Sequence, residues 1–277
     1  MDPLQHYAVI GYPLGYSLSP LLHNTFFEKE GIAADYTSVP LAPQELSFWV
    51  KGRTFAGFNV TVPYKESIVS FLDDHSHRTV VRKIGAVNTV KNINGKLLGT
   101  NTDAPGFTMM LKEELNLSME GLNILVLGAG GASRAIVYAA GEAGVKQINV
   151  YDTDTEKCHL LSLNFSELPM TVIESDLKTV LPRIDLVVNA TPVGMEATLD
   201  MSILSEEDLA LLNPNTPVVD IIYVPAETKL LRLARERGLP TCNGLGMLVG
   251  QGILAQSFWF GKQLDYVYAK SILLRGL

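Results

Sequence analysis

Apolar and polar residues alternate along this chain in blocks. Short, nearly continuous apolar runs at 7–11, 55–62, 123–127, 147–151, 185–190 and 218–223 have the length of buried strands. A further strand is expected at 36–40 and a short one at 171–172. Between them lie stretches at 21–30, 105–115, 132–143 and 228–238 where apolar positions recur every three or four residues, which predicts helices. Shorter helices are expected at 45–51, 65–72, 158–163 and 177–181, and an apolar one over 245–260. Residues 87–93 and 96–99 flank Asn94-Gly95 and predict a hairpin. Strands alternating with helices through 123–238 predict a parallel, doubly wound sheet, so the fold class is α/β.

One stretch organises the rest. The run 123–127 is followed at once by Gly128, Gly130 and Gly131, then by a helical pattern from Ala132, and the next strand ends in Asp152. Glycines at a strand-to-helix turn let the backbone approach a pyrophosphate, and the helix N-terminus supplies free N–H groups. Ser133 stands where the third glycine of GxGxxG would fall, which weakens the motif taken alone. The strand before it, the helix after it and the acid at the next strand end restore it. A carboxylate at 152 accepts hydrogen bonds from ribose hydroxyls and repels a 2′-phosphate, and Glu156 adds negative charge nearby. The residues therefore predict NAD rather than NADP.

Length and charge narrow the partners. At 277 residues with 47% hydrophobic content the chain has core enough for about two domains. Its 22 basic and 29 acidic residues form no block of one sign, so nucleic acid is not an expected partner. Residues 1–10 have no basic leader pattern, and 245–260 is broken by glycines and glutamines; a cytoplasmic protein with no membrane span is expected. Cys158 and Cys242 are far apart and fit no metal or redox spacing. The run Asp73-Asp74-His75-Ser76-His77 reads as a solvated turn, with no further metal ligand at useful spacing.

Several polar residues admit two readings each. Ser17 and Ser19 precede Pro20 at a helix start; they either cap the helix or seat a carboxylate beside free N–H groups. Lys65 follows a buried strand and a proline; it is either a solvated lysine or one aimed into a site at the strand's carboxyl end. Asn88 and Asp103 lie at strand ends, where such groups serve backbone hydrogen bonds or meet Lys65. Gln251, polar on an apolar helix, either bonds backbone or reaches a substrate hydroxyl.

These residues fall in eight ordered motifs: Ser17-Leu-Ser-Pro-Leu-Leu-His-Asn24, Asn59-Val-Thr-Val-Pro-Tyr-Lys65, Gly85-Ala-Val-Asn-Thr89, Asn101-Thr-Asp103, Gly128-Ala-Gly-Gly-Ala-Ser-Arg134, Asn189-Ala-Thr-Pro-Val-Gly-Met195, Asp220-Ile-Ile-Tyr223 and Gly244-Leu-Gly-Met-Leu-Val-Gly-Gln251. Together they resemble the shikimate and quinate dehydrogenase family nearly end to end. The resemblance implies a substrate-binding α/β domain of residues 1–104 and 239–277 and a Rossmann-type dinucleotide domain of 105–238, with the substrate in the cleft between them. By matching position, Ser17 and Ser19 hold the substrate carboxylate, while Thr61, Asn88, Asp103, Tyr223 and Gln251 line the ring. Lys65 is the general acid/base, with Asp103 beside it. Gly128, Ala129, Gly130, Gly131, Ala132, Asp152, Thr191, Ile221 and Gly244 are the cofactor residues.

The chain departs from that family's pattern at two informative places. Tyr16 stands where many relatives carry His. Tyr151-Asp152-Thr153 stands where NADP-using relatives carry Asn-Arg-Thr, although Lys157 follows; loss of the planar guanidinium again points to NAD. The implied reaction is reversible reduction of 3-dehydroshikimate to shikimate by a monomer or homodimer. The alternatives are an NAD-dependent quinate or dual-substrate enzyme and a non-catalytic NAD-binding regulator, since a fold alone does not imply a function.

Overall fold

In the computed structural model, residues 3–15, 17–75 and 78–277 are described. Tyr16 lies outside them, as do Ser76 and His77 of the acidic and histidine run. The chain divides into two compact units, Met1–Gly106 with Leu248–Leu277, and Phe107–Met247.

The first unit runs β1 (Gln5–Gly11), α1 (Ser19–Glu30), β2 (Ala34–Pro40), α2 (Leu46–Gly52), β3 (Gly57–Val60), β4 (Asp74–His75), α3 (Arg78–Ile84), β5 (Thr89–Ile93) and β6 (Lys96–Thr100). Its sheet has the order β2-β1-β3-β5-β6-β4. Strand β1 pairs in parallel with β2 and β3, placing Tyr7 opposite Tyr36 and Ile10 opposite Val60. Strand β5 runs antiparallel to β3, with Asn59 opposite Thr89, and closes the expected hairpin with β6 through Asn94 and Gly95, both at positive φ. Ala8, Ile10, Phe58, Val60, Tyr64, Ile68 and Val90 form the core on this sheet.

Helix α4 (Asp103–Leu115) leads into the second unit: β7 (Asn123–Leu127), α5 (Gly131–Glu142), β8 (Gln147–Tyr151), α6 (Thr155–Asn164), β9 (Met170–Val172), β10 (Leu186–Asn189), α7 (Glu206–Leu209), β11 (Val218–Asp220), α8 (Lys229–Glu236) and β12 (Thr241–Cys242). These strands are all parallel, in the order β12-β11-β10-β7-β8-β9. That is the doubly wound arrangement, whose strand order reverses between β7 and β10 and whose ligands sit beyond the carboxyl ends at that point. Helix α8 shows why local pattern sufficed here: Leu230, Leu231, Leu233 and Ala234 are buried, and Arg232, Arg235 and Arg237 are exposed. Eight residues make a marginal helix alone, but each buried leucine contributes about 1.5–3 kcal/mol against the sheet.

The return to the first unit falls at 247/248, because Thr241–Cys242 adds to the second sheet beside β11. Helix α9 (Leu245–Phe260) makes that return, and α10 (Tyr266–Leu274) follows it, an element the apolar pattern did not separate. Among the described residues, no helix is long and apolar enough to cross a membrane.

Two local expectations are corrected. Residues 67–71 form a 3-10 turn, and Lys65 precedes it, so Lys65 does not open an α-helix. At the start of α1 the N-cap position is Leu18, with no side-chain cap; Ser19 is the first helical residue, so neither serine reads as the expected N-cap.

Candidate active site

The candidate residues form two groups, one in each unit. In the first, Lys65 follows β3 by a short turn in which the Tyr64 amide donates to the Thr61 carbonyl. Asp103 opens α4, where a carboxylate is favoured by the helix N-terminus. The Asn101 amide oxygen accepts from the Asp103 and Ala104 amides, and its Nδ2 donates to the Ala86 carbonyl, which anchors the helix start. Lys65 Nζ then donates to Asp103 Oδ2 at 2.8 Å, and Asn88 Nδ2 donates to Oδ1 at 2.8 Å. Both charged side chains are largely buried, 18% and 8% exposed, so the pair is shielded from the screening that makes surface ion pairs weak.

Asn88 uses both ends of its amide. Its Oδ1 accepts from the Thr102 amide at 2.7 Å, and its Nδ2 also donates to Thr102 Oγ1. Behind it, Thr89 Oγ1 accepts from Asn59 Nδ2, and Asn59 Oδ1 accepts from the Tyr36 hydroxyl at 2.6 Å. The Tyr36 hydroxyl also bonds the Ser19 side chain; burial nonetheless drives this phenol well above its ordinary value. A buried hydrogen-bonded chain therefore runs from Ser19 through Tyr36, Asn59, Thr89 and Asn88 to Asp103 and Lys65. Ser17 is beside it, its Oγ accepting from the Ser19 amide at 3.3 Å. Thr61 stands at the end of β3, its amide donating to the Ile10 carbonyl. Gln251 Nε2 donates to the Leu248 carbonyl of its own helix at 2.9 Å, the backbone-bonding reading of that residue.

The second group surrounds the turn after β7. Gly128 has φ +106°, and a Cβ there would meet Thr191 Cγ2 at 2.9 Å and the Ala190 carbonyl at 3.1 Å, so this position requires glycine. Gly130 and Gly131 face open space, and α5 starts at Gly131 with no side-chain cap. Ala132 continues that first turn, and its uncapped N–H groups suit an anion. Thr191 follows β10; its Oγ1 donates to Asn189 Oδ1 at 2.7 Å. Asn189 Nδ2 donates to Asp220 Oδ2 at 3.0 Å, and Asp220 further accepts from Thr228 Oγ1 and the Ile222 amide. Asp220 is fully buried, and desolvation pushes its carboxyl up, opposed by these three bonds. Ile221 donates its amide to the Asn189 carbonyl, and Gly244 packs on Ile221 so closely that a Cβ would overlap its carbonyl. Tyr223, expected at the substrate ring, belongs to this second group by its place after β11.

Sequence reasoning gave no role to Tyr36, Asn59, Thr102, Asn189, Asp220 or Thr228. The usable signal was a polar residue set among apolar neighbours in a fully buried strand, as at Asn59 in β3, Asn189 in β10 and Asp220 in β11. Among the described residues, no group of three His, Cys, Asp or Glu side chains could hold a metal ion.

Comparison with known proteins bears on both groups. Residues 9–90 match the family model described as the shikimate dehydrogenase substrate binding domain. A protein of Alkaliphilus metalliredigens named shikimate dehydrogenase (NADP(+)) is 38% identical over 277 residues, spanning 96% of this chain and 95% of that one. The crystal structure of shikimate dehydrogenase from Aquifex aeolicus superposes with a TM-score of 0.88 at 39% identity, covering 97% of each chain. That of Thermus thermophilus shikimate 5-dehydrogenase in complex with NADP(H) and shikimate gives a TM-score of 0.88 at 35% identity, over 99% of this chain and all of the other.

The expectation of NAD over NADP is overturned by the Alkaliphilus and Thermus relatives, which carry NADP in name or in complex. The local geometry gives the physical reason the inference from Asp152 failed. Its Oδ2 accepts from the Ala129 amide at 2.9 Å and its Oδ1 from the Asp154 amide at 2.9 Å, so both oxygens are engaged in shaping the glycine turn and the loop after β8. An acid at this strand end therefore has a structural task of its own, and its presence does not by itself select a cofactor. With identity near 38% along almost its whole length and the same fold throughout, the chain belongs to the shikimate dehydrogenase family.

Proposed function

We propose that this protein catalyses the reversible, NADP-linked reduction of 3-dehydroshikimate to shikimate. The observation that carries the proposal is the Lys65–Asp103 pair at 2.8 Å, with Asn88 on the second carboxylate oxygen. Oxidising a secondary alcohol requires a base for the hydroxyl proton as hydride leaves the carbon. Lys65 takes or returns that proton at Nζ. Asp103, fixed on one oxygen by Asn88, orients the ammonium and lies beside the hydroxyl. An ammonium has three donors and one is used by Asp103, so Nζ can contact a substrate oxygen without breaking the pair. Ser17 and Ser19 hold the carboxylate, and Thr61 and Gln251 contact ring hydroxyls; for Gln251 this requires its amide to turn from Leu248.

The first unit is the substrate-binding domain in this reading, supported by the family match over 9–90, and the second binds the dinucleotide. Bound NADP supplies the hydride acceptor or donor. The residues present fit its pyrophosphate: the open glycines at 130 and 131 and the uncapped α5 start leave room and donors for an anion. Gly128, Ala129, Ala132, Thr191, Ile221 and Gly244 form the rest of that wall. Lys157, exposed and paired with Asp154 at 2.9 Å, is a cation that can turn to a 2′-phosphate.

The relatives named above carry shikimate, not quinate, in their names. Purified protein is assayed with shikimate or quinate and with NADP or NAD, following reduced nicotinamide absorbance. Turnover highest with shikimate and NADP is the expected result. Preference for quinate or for NAD refutes the corresponding part of the proposal, and no turnover in any combination supports a binding protein instead.

A further inference from the structure

Helix α4, which begins with Asp103, and helix α9, which carries Gln251, cross with their backbones in contact. A Cβ built on Gly106 would lie 2.6 Å from the Gln251 amide nitrogen and 3.0 Å from its Cα. A Cβ on Gly250 would lie 2.7 Å from the Gly106 carbonyl oxygen and 2.9 Å from its Cα. Neither obstacle is the end of a flexible side chain; in both cases it is backbone. Gly106 has no positive φ, so its identity is required by the approach of α9, and the same holds for Gly250.

Each helix is also held at one end. The start of α4 is fixed by Asn101 under the Asp103 and Ala104 amides. The far end of α9 is fixed by Lys91, whose Nζ donates to the Trp259 carbonyl at 2.6 Å and the Phe258 carbonyl at 3.3 Å, and by Trp259 Nε1 donating to the Val90 carbonyl. Neither helix can yield freely along its length, so an added methyl group must separate them at Gly106 and Gly250. Moving a 2.6 Å approach out to ordinary contact at 3.4 Å displaces the Gln251 backbone by about 1 Å.

We propose that Gly106 and Gly250 are positioning residues that set the place of Gln251 relative to Asp103. The proposal deepens the shikimate reading and rests on it. A misplacement of about 1 Å away from the reacting atoms lowers rates by up to about 100-fold. Gly106→Ala is therefore expected to lower kcat/KM for shikimate by about 10–100-fold, while KM for NADP stays within about twofold and the circular dichroism is unchanged. The double variant Gly106→Ala/Gln251→Ala should be no worse than Gln251→Ala alone, because the glycine acts through that side chain.

Additive losses in the double variant, or a Gly106→Ala enzyme within about twofold of wild type, overturn the proposal. If alanine at the crossing prevents folding, Lys91→Met decides, because it releases the far end of α9 without adding an atom at the crossing. It should raise KM for shikimate and leave KM for NADP unchanged; an unchanged KM for shikimate overturns the proposal. A wild-type protein that does not turn over shikimate overturns the functional reading itself, an outcome distinct from an active wild type with unaffected variants.

Discussion

Asn88→Ala should be among the most damaging single changes to the first unit, and the reason can be counted from its bonds. The side chain supplies Nδ2 to Asp103 Oδ1 at 2.8 Å and Oδ1 to the Thr102 amide at 2.7 Å. Alanine leaves both groups buried without that partner, whereas Thr89 Oγ1 and Thr102 Oγ1 keep each other at 3.1 Å. Each buried group left unsatisfied costs about 1–3 kcal/mol, more when charged, so the total is about 4 kcal/mol. That is nearly three decades in the unfolding equilibrium at about 1.4 kcal/mol per decade. The chain has two tryptophans, Trp49 and Trp259, and both belong to the first unit, so tryptophan fluorescence in a urea titration reports that unit alone. A loss of less than about 1 kcal/mol by this probe would mean the network is not the stabilising element its geometry indicates.

Other outcomes follow from the same structure. Lys65→Ala should lower kcat by about 100-fold or more with KM for shikimate little changed, since the lost group handles the proton; near-normal turnover removes Lys65 from the mechanism. Gly244→Ala should raise KM for NADP by about tenfold or more, because a methyl group there collides with the Ile221 carbonyl; steady-state kinetics at saturating shikimate check it, and an unchanged KM counts against the Ile221 wall. His23 is fully buried, and burial pushes it down to about 3. Its folded form stays neutral while the unfolded chain binds a proton below about 6.5, so stability is intact above that pH and is lost as pH falls towards 3, at about 1.4 kcal/mol per unit. His23→Phe should flatten the urea-derived stability curve between pH 6 and 4; curves of equal slope for variant and wild type defeat this assignment.

The second sheet was the most legible part of the chain. Its central strands β7, β8, β10 and β11 are largely buried, so each appears as an apolar run, and the glycine turn falls at the reversal of strand order; the partly buried edge strand β12 carries no such run and was not expected. The first unit was harder, because its decisive features are long-range. Ser19 looked like an N-cap by local preference, but its hydroxyl is engaged with Tyr36 of β2, and Leu18 occupies the cap position. Lys65 looked like a helix start, yet the segment after it tightens into a 3-10 turn while Tyr64 is held by a hydrogen bond from its hydroxyl to the Leu41 carbonyl. The α10 helix was missed although its cap was present in the sequence: Asp265 accepts from the Tyr268 amide. Asp152 was placed at the right strand end but wrongly read as selecting NAD, and no local pattern shows that the Ala129 and Asp154 amides reach its two oxygens.

Asp220 has a consequence for how this protein can diverge. One carboxylate binds Asn189 at the end of β10, the Ile222 amide after β11 and Thr228 at the cap of α8. Changing any one of the three side chains leaves a buried donor or acceptor without its mate, and exchanging all three for apolar groups would still strand the Ile222 amide. The edge that carries Thr191 and Ile221 should therefore resist drift, with joint substitutions at 189, 220 and 228 costing less than the sum of the single ones.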